Sequence, residues 1–523
     1  MGSPSTRLTL ASCLGAWLLA PTSAAAEVIH VVPTDDPEDN YAKMEAAGPG
    51  DEVVVAPGTY RFRLYLEGQG TEQQPIVIRA EDPANRPIWD FDGDIIADIV
   101  GSYDAGDKGR AMWQFTGSHY RVSGIVFKNG TDGGLGDGGG IRFKLADNVT
   151  LHDCLFQFND NGIQGAGNDI LVEFCEFDRN GQPGSTDGCH SMYMQGGTLI
   201  VRYCYIHDAR RSQNFHLRTN RAVLEYNWIT RAHSYMGDMM PCTMDPCDAE
   251  QHLLLRGNVI LRGTPTNDGQ VMVMYNDKRS GSDPTVGFHM TLVNNTIIGN
   301  GDDAALVHIA NDDPKVSVQT ARLDNNLIYD VARIFRVDDA GQANWSTGGT
   351  HNWVSEGTSD TMGLQNTVVG VDPQLTDLSG AAFVPLVGSP LVDAADPSVP
   401  DLPDKEYFRD EVLTMHWRAR ATVLDIGAFE STTSTPAVGA YDATPNGSDG
   451  GGSEDGAVPD DGVPDDGAPH DGAPADGWSP GDDDTPAPEK RNGVSGGCSC
   501  AARSSTSFWL LFPLVLWRRR RAA

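Results

Sequence analysis

Val122-Ser-Gly-Ile-Val-Phe127, Leu151-His-Asp-Cys-Leu-Phe156, Val172-Glu-Phe-Cys-Glu-Phe177 and Val201-Arg-Tyr-Cys-Tyr-Ile206 are four copies of one short pattern. Leu224-Glu-Tyr-Asn-Trp-Ile229, Leu255-Arg-Gly-Asn-Val-Ile260, Leu292-Val-Asn-Asn-Thr-Ile297 and Leu323-Asp-Asn-Asn-Leu-Ile328 are four more. Their fourth residues form a column: Ile125, Cys154, Cys175, Cys204, Asn227, Asn258, Asn295, Asn326. The column positions lie 21 to 37 residues apart. A fixed motif with a tolerant period marks a solenoid whose loops vary in length. The apolar positions are strand-like and no helical stripe accompanies them, so the expected fold is all-β: a single-stranded parallel β-helix.

The column has a physical cause. Coils of such a solenoid stack about 4.8 Å apart, which puts equivalent side chains above one another. Stacked Asn amides bond to each other and to turn backbone along the stack. Cys is small and apolar enough for the same inward slot. The column thiols are therefore read as packing. A distance of about 5 Å between Cα atoms also keeps disulfides between coils in reach, so the pairing of Cys154, Cys175, Cys189 and Cys204 stays open. A line of thiols is not the tetrahedron a structural zinc needs.

The ends of the chain read differently. Arg7, the apolar run Leu8 to Ala20 and Ala24-Ala25-Ala26 form a secretory signal peptide over 1–26, with Glu27 as the expected mature start. The solenoid is assigned to 27–430. From 431 to 497 the chain is built of Asp, Gly, Pro, Ala and Ser, as in Asp461-Gly-Val-Pro-Asp-Asp-Gly-Ala-Pro469. Such a stretch cannot bury enough surface to offset its ordering entropy and reads as a self-repelling acidic stalk. Residues 498–523 carry Cys498-Ser-Cys500, the short apolar run Phe508 to Trp517 and Arg518 to Arg521. The order of these parts resembles the myxobacterial C-terminal sorting signal. That resemblance implies delivery to the cell surface or outer membrane, or secretion, with Cys498 or Cys500 as the processing or lipidation site. A membrane anchor is the plainer reading of the same tail, through its apolar run and cytoplasmic Arg cluster.

The formal net charge of −34 argues against nucleic acid as a partner, because nucleic-acid binding uses basic footprints. It suits a soluble surface protein and would attract calcium. Nine Cys are too few for a disulfide-built scaffold of this length. One local bridge, Cys242 to Cys247, suits an oxidising compartment. Nothing in the sequence fixes the oligomeric state.

Ala47-Gly-Pro-Gly-Asp-Glu-Val-Val-Val-Ala-Pro-Gly-Thr-Tyr60, Gly68-Gln-Gly-Thr71 and Pro75-Ile-Val-Ile-Arg-Ala80 alternate strands with Pro-Gly turns. This opening resembles the first coils of secreted right-handed β-helix proteins of the pectin-lyase-like superfamily, chondroitinase B and alginate lyases among them. The resemblance implies a right-handed solenoid. A helix around Tyr41 to Ala47 is expected to cover the open end. Gly388-Ser-Pro-Leu-Val-Asp393 and Asp425-Ile-Gly-Ala-Phe-Glu430 resemble the closing segment of bacterial surface β-helix proteins.

Alternation picks out the face for chemistry. In Asn214-Phe-His-Leu-Arg218, Phe215 and Leu217 point in, so His216 and Arg218 point out. By the same rule Arg142, Lys144, Gln164 and Tyr193 point out, and Tyr235 and His308 are expected on the same face. Arg142, Gln164, Tyr193 and His216 then form a stripe suited to an acidic polysaccharide. Uronate lyases need a cation beside the substrate carboxylate, a base for the C5 proton and an acid for the leaving oxygen. Tyr193, His216 and Arg218 are the candidates for catalysis. His190, Arg210 and Arg211, with His207 and Asp208, are expected in nearby loops, the first three binding substrate alongside Arg142, Lys144 and Gln164. Calcium is the alternative neutraliser, with Asp187, Asn214 or Asp238 as ligands.

The chondroitinase B and alginate lyase group works with a Lys base beside an Arg. His216-Leu-Arg218, followed by Asn220-Arg221, is similar to its Arg segment, but no Lys accompanies it. Lys144 is about three coils, or roughly 14 Å, away. Asp302-Asp303 and Asp312-Asp313 read as polar turns, not as the acid pairs of β-helix hydrolases. Two functions are expected from these residues: a polysaccharide lyase on uronic-acid polymers, or a non-catalytic surface adhesin that binds glycan.

Overall fold

The computed structural model describes residues 25–101, 110–133, 138–182, 189–242, 247–263, 270–274, 286–311, 316–339, 344–379, 382–409, 415–420 and 424–431. Residues 1–24 of the signal peptide, Asp187, the Asp312-Asp313 pair, residues 432–497 of the stalk, Cys498 and Cys500 lie outside the described residues.

The chain is a right-handed parallel β-helix with three faces, and the repeat motif explains its cross-section. The first residue of each copy is the last inward side chain of a strand on the second face. Leu151 pairs with Val122 and Val172, Val172 with Val201, and the ladder continues through Leu224, Leu255 and Leu292 to Leu323. The third residue turns the corner with a positive φ, as in Asp153 (52°), Tyr203 (54°) and Asn325 (58°). The sixth starts the inward ladder of the third face, a 12-stranded parallel sheet where Phe127, Phe156 and Phe177 stack at 5.0 and 4.8 Å.

The fourth position is buried throughout. Asn227 Nδ2 donates to Asn258 Oδ1 at 3.1 Å, Asn258 to Asn295 at 2.9 Å, Asn295 to Asn326 at 2.9 Å and Asn326 to Asn352 at 3.0 Å. Asn352 is thus a further rung beyond the eight copies. The thiols follow the same rule: Cys154 N donates to Cys175 Sγ and Cys175 N to Cys204 Sγ, each at 3.4 Å. Cys154, Cys175, Cys189 and Cys204 are buried, and Cys154, Cys175 and Cys204 are not in disulfides.

The second motif position carries a pattern that hydrophobic reading passes over. His152, Glu173, Arg202, Glu225 and Arg256 are successive neighbours on the outer second face. Glu173, Arg202, Glu225 and Arg256 alternate in charge, and Glu173 lies 2.9 Å from His152 and 2.7 Å from Arg202.

The first and second faces merge into one sheet because four strands run round their shared corner: Gly139–His152, Asn161–Glu173, Met192–Arg202 and Phe215–Glu225. Gly165 fits that corner because a Cβ there would lie 2.0 Å from the Phe143 carbonyl oxygen. The helix Pro37–Glu45 covers the N-terminal end, capped by Asp36 and burying Met44. It starts four residues earlier than the sequence suggests, because Asp36-Pro37 supplies an N-cap and a first-turn proline.

The segment expected to close the far end instead folds back along the third face. It covers Tyr203, Tyr205, Tyr226 and Trp228 with Leu391, Tyr407, Ile426 and Phe429. Tyr226 donates to Asp404 at 2.6 Å, and Asn294 to the Asp425 carbonyl at 3.0 Å. The outward aromatic residues of those coils would otherwise form an exposed apolar patch.

Candidate active site on the first face

Register builds the site. On the outer first face Gln114, Arg142, Gln164, Tyr193, His216 and Asp238 are successive partners in six coils. The column continues through Val273 to His308 and Arg336. A parallel column two residues along runs Lys144, Ala166, Gln195, Arg218. The stripe read from alternation is therefore one continuous line. Lys144 is exposed and three coils from Arg218, as its spacing implies.

Within this line one group draws together. The Tyr193 ring stacks on His216 with centroids 4.7 Å apart and planes 6° from parallel. His190 also stacks against His216 at 4.8 Å and lies 5.7 Å from the Tyr193 ring, so the three rings form a triangle. Arg218 Nε donates to His216 Nε2 at 3.2 Å. His216 Nδ1 lies 2.9 Å from Asp238 Oδ1, close enough for an ion pair but off the line of a hydrogen bond. Gln213 Nε2 donates to Asp238 Oδ2 at 3.1 Å.

The alternation rule gives the right side of the strand and the wrong exposure. His216 and Arg218 are each 2 % exposed and Tyr193 is 7 % exposed, so they are not a solvated stripe. Met240 and Pro241 fold over them: Arg218 donates to the Pro241 carbonyl at 3.1 Å and contacts Met240 Sδ at 3.4 Å. Cys242 and Cys247 form a disulfide directly after this cover. Cys242 N is also held by Gln251 at 3.1 Å.

Burial sets the electrostatics. It pushes His190 down to about 3, assisted by His216. It pushes Asp238 up to about 7, against the pull of His190 and Arg218. At neutral pH His190 is uncharged and Asp238 is near its midpoint. The folded value of Asp238 lies above its ordinary 3.8, so its burial weakens the fold as pH rises from there through about 7. A general base at His216 would have the opposite need, because ionised Asp238 would support the charge that the ring gains. Turnover is expected to fall as pH drops through about 7, and Asp238→Asn should flatten that limb. A kcat/KM profile of both proteins checks this.

Other expected members stand elsewhere. Asp238, not Tyr235, fills the column position after His216, because Gly237 is the residue that fits over the Phe215 ring. Arg142 contacts Gln114 at 3.4 Å and Gln164 donates to the Arg110 carbonyl at 2.8 Å, both upstream of the cluster. Arg210 and Arg211 do not reach it. Arg210 is exposed and lies over Phe158, 5.6 Å from the ring centre. Arg211 is half-buried, its backbone against Gly181. His207 is on the strand Tyr205–Ala209 of the third face rather than in a loop, because Tyr205-Ile-His continues the motif's own strand.

For a cation, Asp178, His207 and Asp208 have ligand atoms within 4.8 Å of one another. His207 Nδ1 is 2.6 Å from Asp208 and Nε2 is 3.0 Å from Glu176; burial disfavours the charged ring, but these carboxylates outweigh it and raise its pKa. Arg179 and Arg231 balance the two aspartates. The three groups could hold a cation in exchange for these ion pairs, with an imidazole in place of one of the oxygens that calcium prefers. Asn214 donates to the Thr230 carbonyl at 3.1 Å, and both Asp238 oxygens face His216 or Gln213, so this pair does not make an oxygen-rich shell.

No protein-family model and no curated protein sequence matches the chain. Among solved structures, a pectate lyase aligns at 13% identity and a TM-score of 0.47, covering 78% of this chain and 97% of that one. An alginate lyase from Paenibacillus sp. str. FPU-7 aligns at 15% identity and a TM-score of 0.41, covering 61% of this chain and 99% of that one. A lacto-N-biosidase from Eubacterium ramulus aligns at 13% identity and a TM-score of 0.42, covering 66% of this chain and 68% of that one.

Proposed function

We propose that this chain is an exported surface protein that cleaves uronic-acid polysaccharides by β-elimination at Tyr193, His216 and Arg218. The observation that carries the reading is the burial of two His, a Tyr, an Arg and an Asp together on the outward side of one strand column. An outer β-helix face has no packing need for such a group, and burying charge is costly unless it is used. Arg218 meets the substrate carboxylate and spreads its charge as the C5 proton leaves. His216 Nε2 takes that proton, with Asp238 behind Nδ1 stabilising the imidazolium. The electron pair of the C–H bond forms the C4–C5 double bond. The C4–O bond breaks, and the Tyr193 hydroxyl protonates the leaving oxygen. Substrate has to displace the Arg218 to His216 contact and the Met240–Pro241 cover.

Export rests on the signal peptide and the C-terminal tail read from the sequence. The near-complete burial of His216 and Arg218 favours a second reading, a structural polar cluster in a displayed glycan binder. Incubation of the full chain with alginate, pectate, chondroitin and heparin-type polymers, with calcium or with a chelator, separates the two. The lyase reading expects a rise in ultraviolet absorbance from the unsaturated product with one polymer. A flat trace with all of them, alongside retained polymer binding, supports the binder. A rise that the chelator abolishes would hand the neutralising role to calcium.

A further inference from the structure

A cavity of about 420 Å³ opens where the third face leads into the first. Thr131, Phe158, Asp160, Gln182 and Arg210 line it. It adjoins the His216 cluster through one residue: Asn161, next to Asp160, accepts from the His190 backbone N–H at 3.0 Å. The cavity residues come from turns of successive coils, so the pocket follows the solenoid axis beside the reactive column.

Two observations point to a ligand. Asp160 is 1 % exposed; its Oδ2 accepts from Asp132 N at 2.8 Å, while Oδ1 has no hydrogen-bond partner among the described residues. A buried carboxyl oxygen without a partner is costly and marks a place where a donor is meant to arrive. The second is Arg210. In a chain with a net charge of −34 it makes no ion pair among the described residues. Arg179 shares the Phe158 ring with it at 4.6 Å but is tied to Asp178 at 2.6 Å. The Arg210 guanidinium is thus held at the cavity by an aromatic face, with its planar fork available for a carboxylate.

We propose that this cavity is a subsite for one carboxylate-bearing sugar residue, whose carboxylate meets Arg210 and whose hydroxyls meet Asp160 Oδ1 and Gln182. The proposal rests on the reading of the chain as acting on acidic polysaccharide. Thr131 Oγ1 donates to Gln182 Oε1 at 2.7 Å, which orients that amide in the wall. The volume lies within the range of small-ligand pockets. Burial and the neighbouring Asp132 push Asp160 up to about 7, so near neutral pH it repels an anion less than an ordinary carboxylate would.

The test is calorimetric titration of the full-length His216→Ala protein, which binds without turnover. The probes are glucuronate-, galacturonate- and mannuronate-containing disaccharides, each against its uncharged hexose counterpart. At least one acidic disaccharide is expected to bind tenfold or more tighter than its neutral partner. Adding Arg210→Ala should abolish that difference, and Arg210→Lys should restore part of it. Arg210 is exposed, and an unchanged melting temperature confirms the fold. Equal affinity for acidic and neutral sugars, no binding at all, or acidic binding indifferent to Arg210→Ala would overturn the subsite. Turnover by the native chain is a separate readout. Polymer cleavage untouched by Arg210→Ala removes the subsite and keeps the lyase. Arg210-dependent binding without cleavage keeps the subsite and removes the lyase.

Discussion

His216→Ala is expected to lower cleavage of the responsive polymer by about 10²- to 10⁴-fold, the usual worth of a positioned general base. The imidazole touches every other member of the cluster: the Tyr193 and His190 rings pack against it, Arg218 meets Nε2 and Asp238 lies at Nδ1. Its loss removes the proton acceptor and the ring that faces Asp238 at 2.9 Å. Asp238 is near its midpoint at neutral pH, so the variant can take up a proton on that carboxyl and keep its fold. Tyr193→Phe is the companion variant, since it keeps the ring stack and deletes only the hydroxyl. Turnover and thermal unfolding are measured on both. Loss of turnover with a near-native melting temperature fits catalysis. Unfolding that tracks the lost turnover would make the cluster structural.

The second large effect is on stability. Asn295→Ala is expected to cost about 3 kcal/mol, since each orphaned buried polar group costs about 1–3 kcal/mol. Asn295 Oδ1 accepts from both Asn258 N and Asn258 Nδ2, and Asn295 Nδ2 donates to the Leu255 carbonyl and to Asn326. Alanine strands several of these groups in a dry core. Asn295→Cys should cost less, because Cys175 shows that a thiol in this slot accepts from the rung below. Urea midpoints of the full chain rank the two variants. Equal losses would mean that a thiol in this slot neither fills it usefully nor replaces the amide's bonds.

The fold was legible because its motif repeats each structural task. Position one packs the second face, position four fills the corner and position six packs the third face, and all three are apolar or Asn in the sequence. The bend at position three was not legible: Tyr203 and Tyr226 adopt positive φ without glycine, held by stacking on one another at 5.3 Å. The return of the C-terminal segment was hidden for a related reason. Its partners are the outward aromatic residues of coils some 180 residues earlier, as in Tyr226 with Asp404, and no periodicity reports such a pairing.

At the site, alternation found the side of the strand for Tyr193, His216 and Arg218. It missed Asp238 as their partner because that coil enters its strand after an irregular stretch. It also treated outward as exposed, and the Met240–Pro241 cover has no signature beyond the Cys242 and Cys247 spacing. Arg210 was grouped with the cluster by proximity in sequence, whereas it belongs to the cavity at Asp160.

The most direct test of the central claim is product analysis after digestion of the responsive polymer in heavy-oxygen water. β-Elimination breaks the C4–O bond without adding water. The account therefore expects shortened chains that carry a new double bond and no heavy oxygen at the cleaved ends. Heavy oxygen at those ends would mean hydrolysis, and unshortened polymer would mean binding without chemistry; either result contradicts the assignment of Tyr193, His216 and Arg218 to a lyase.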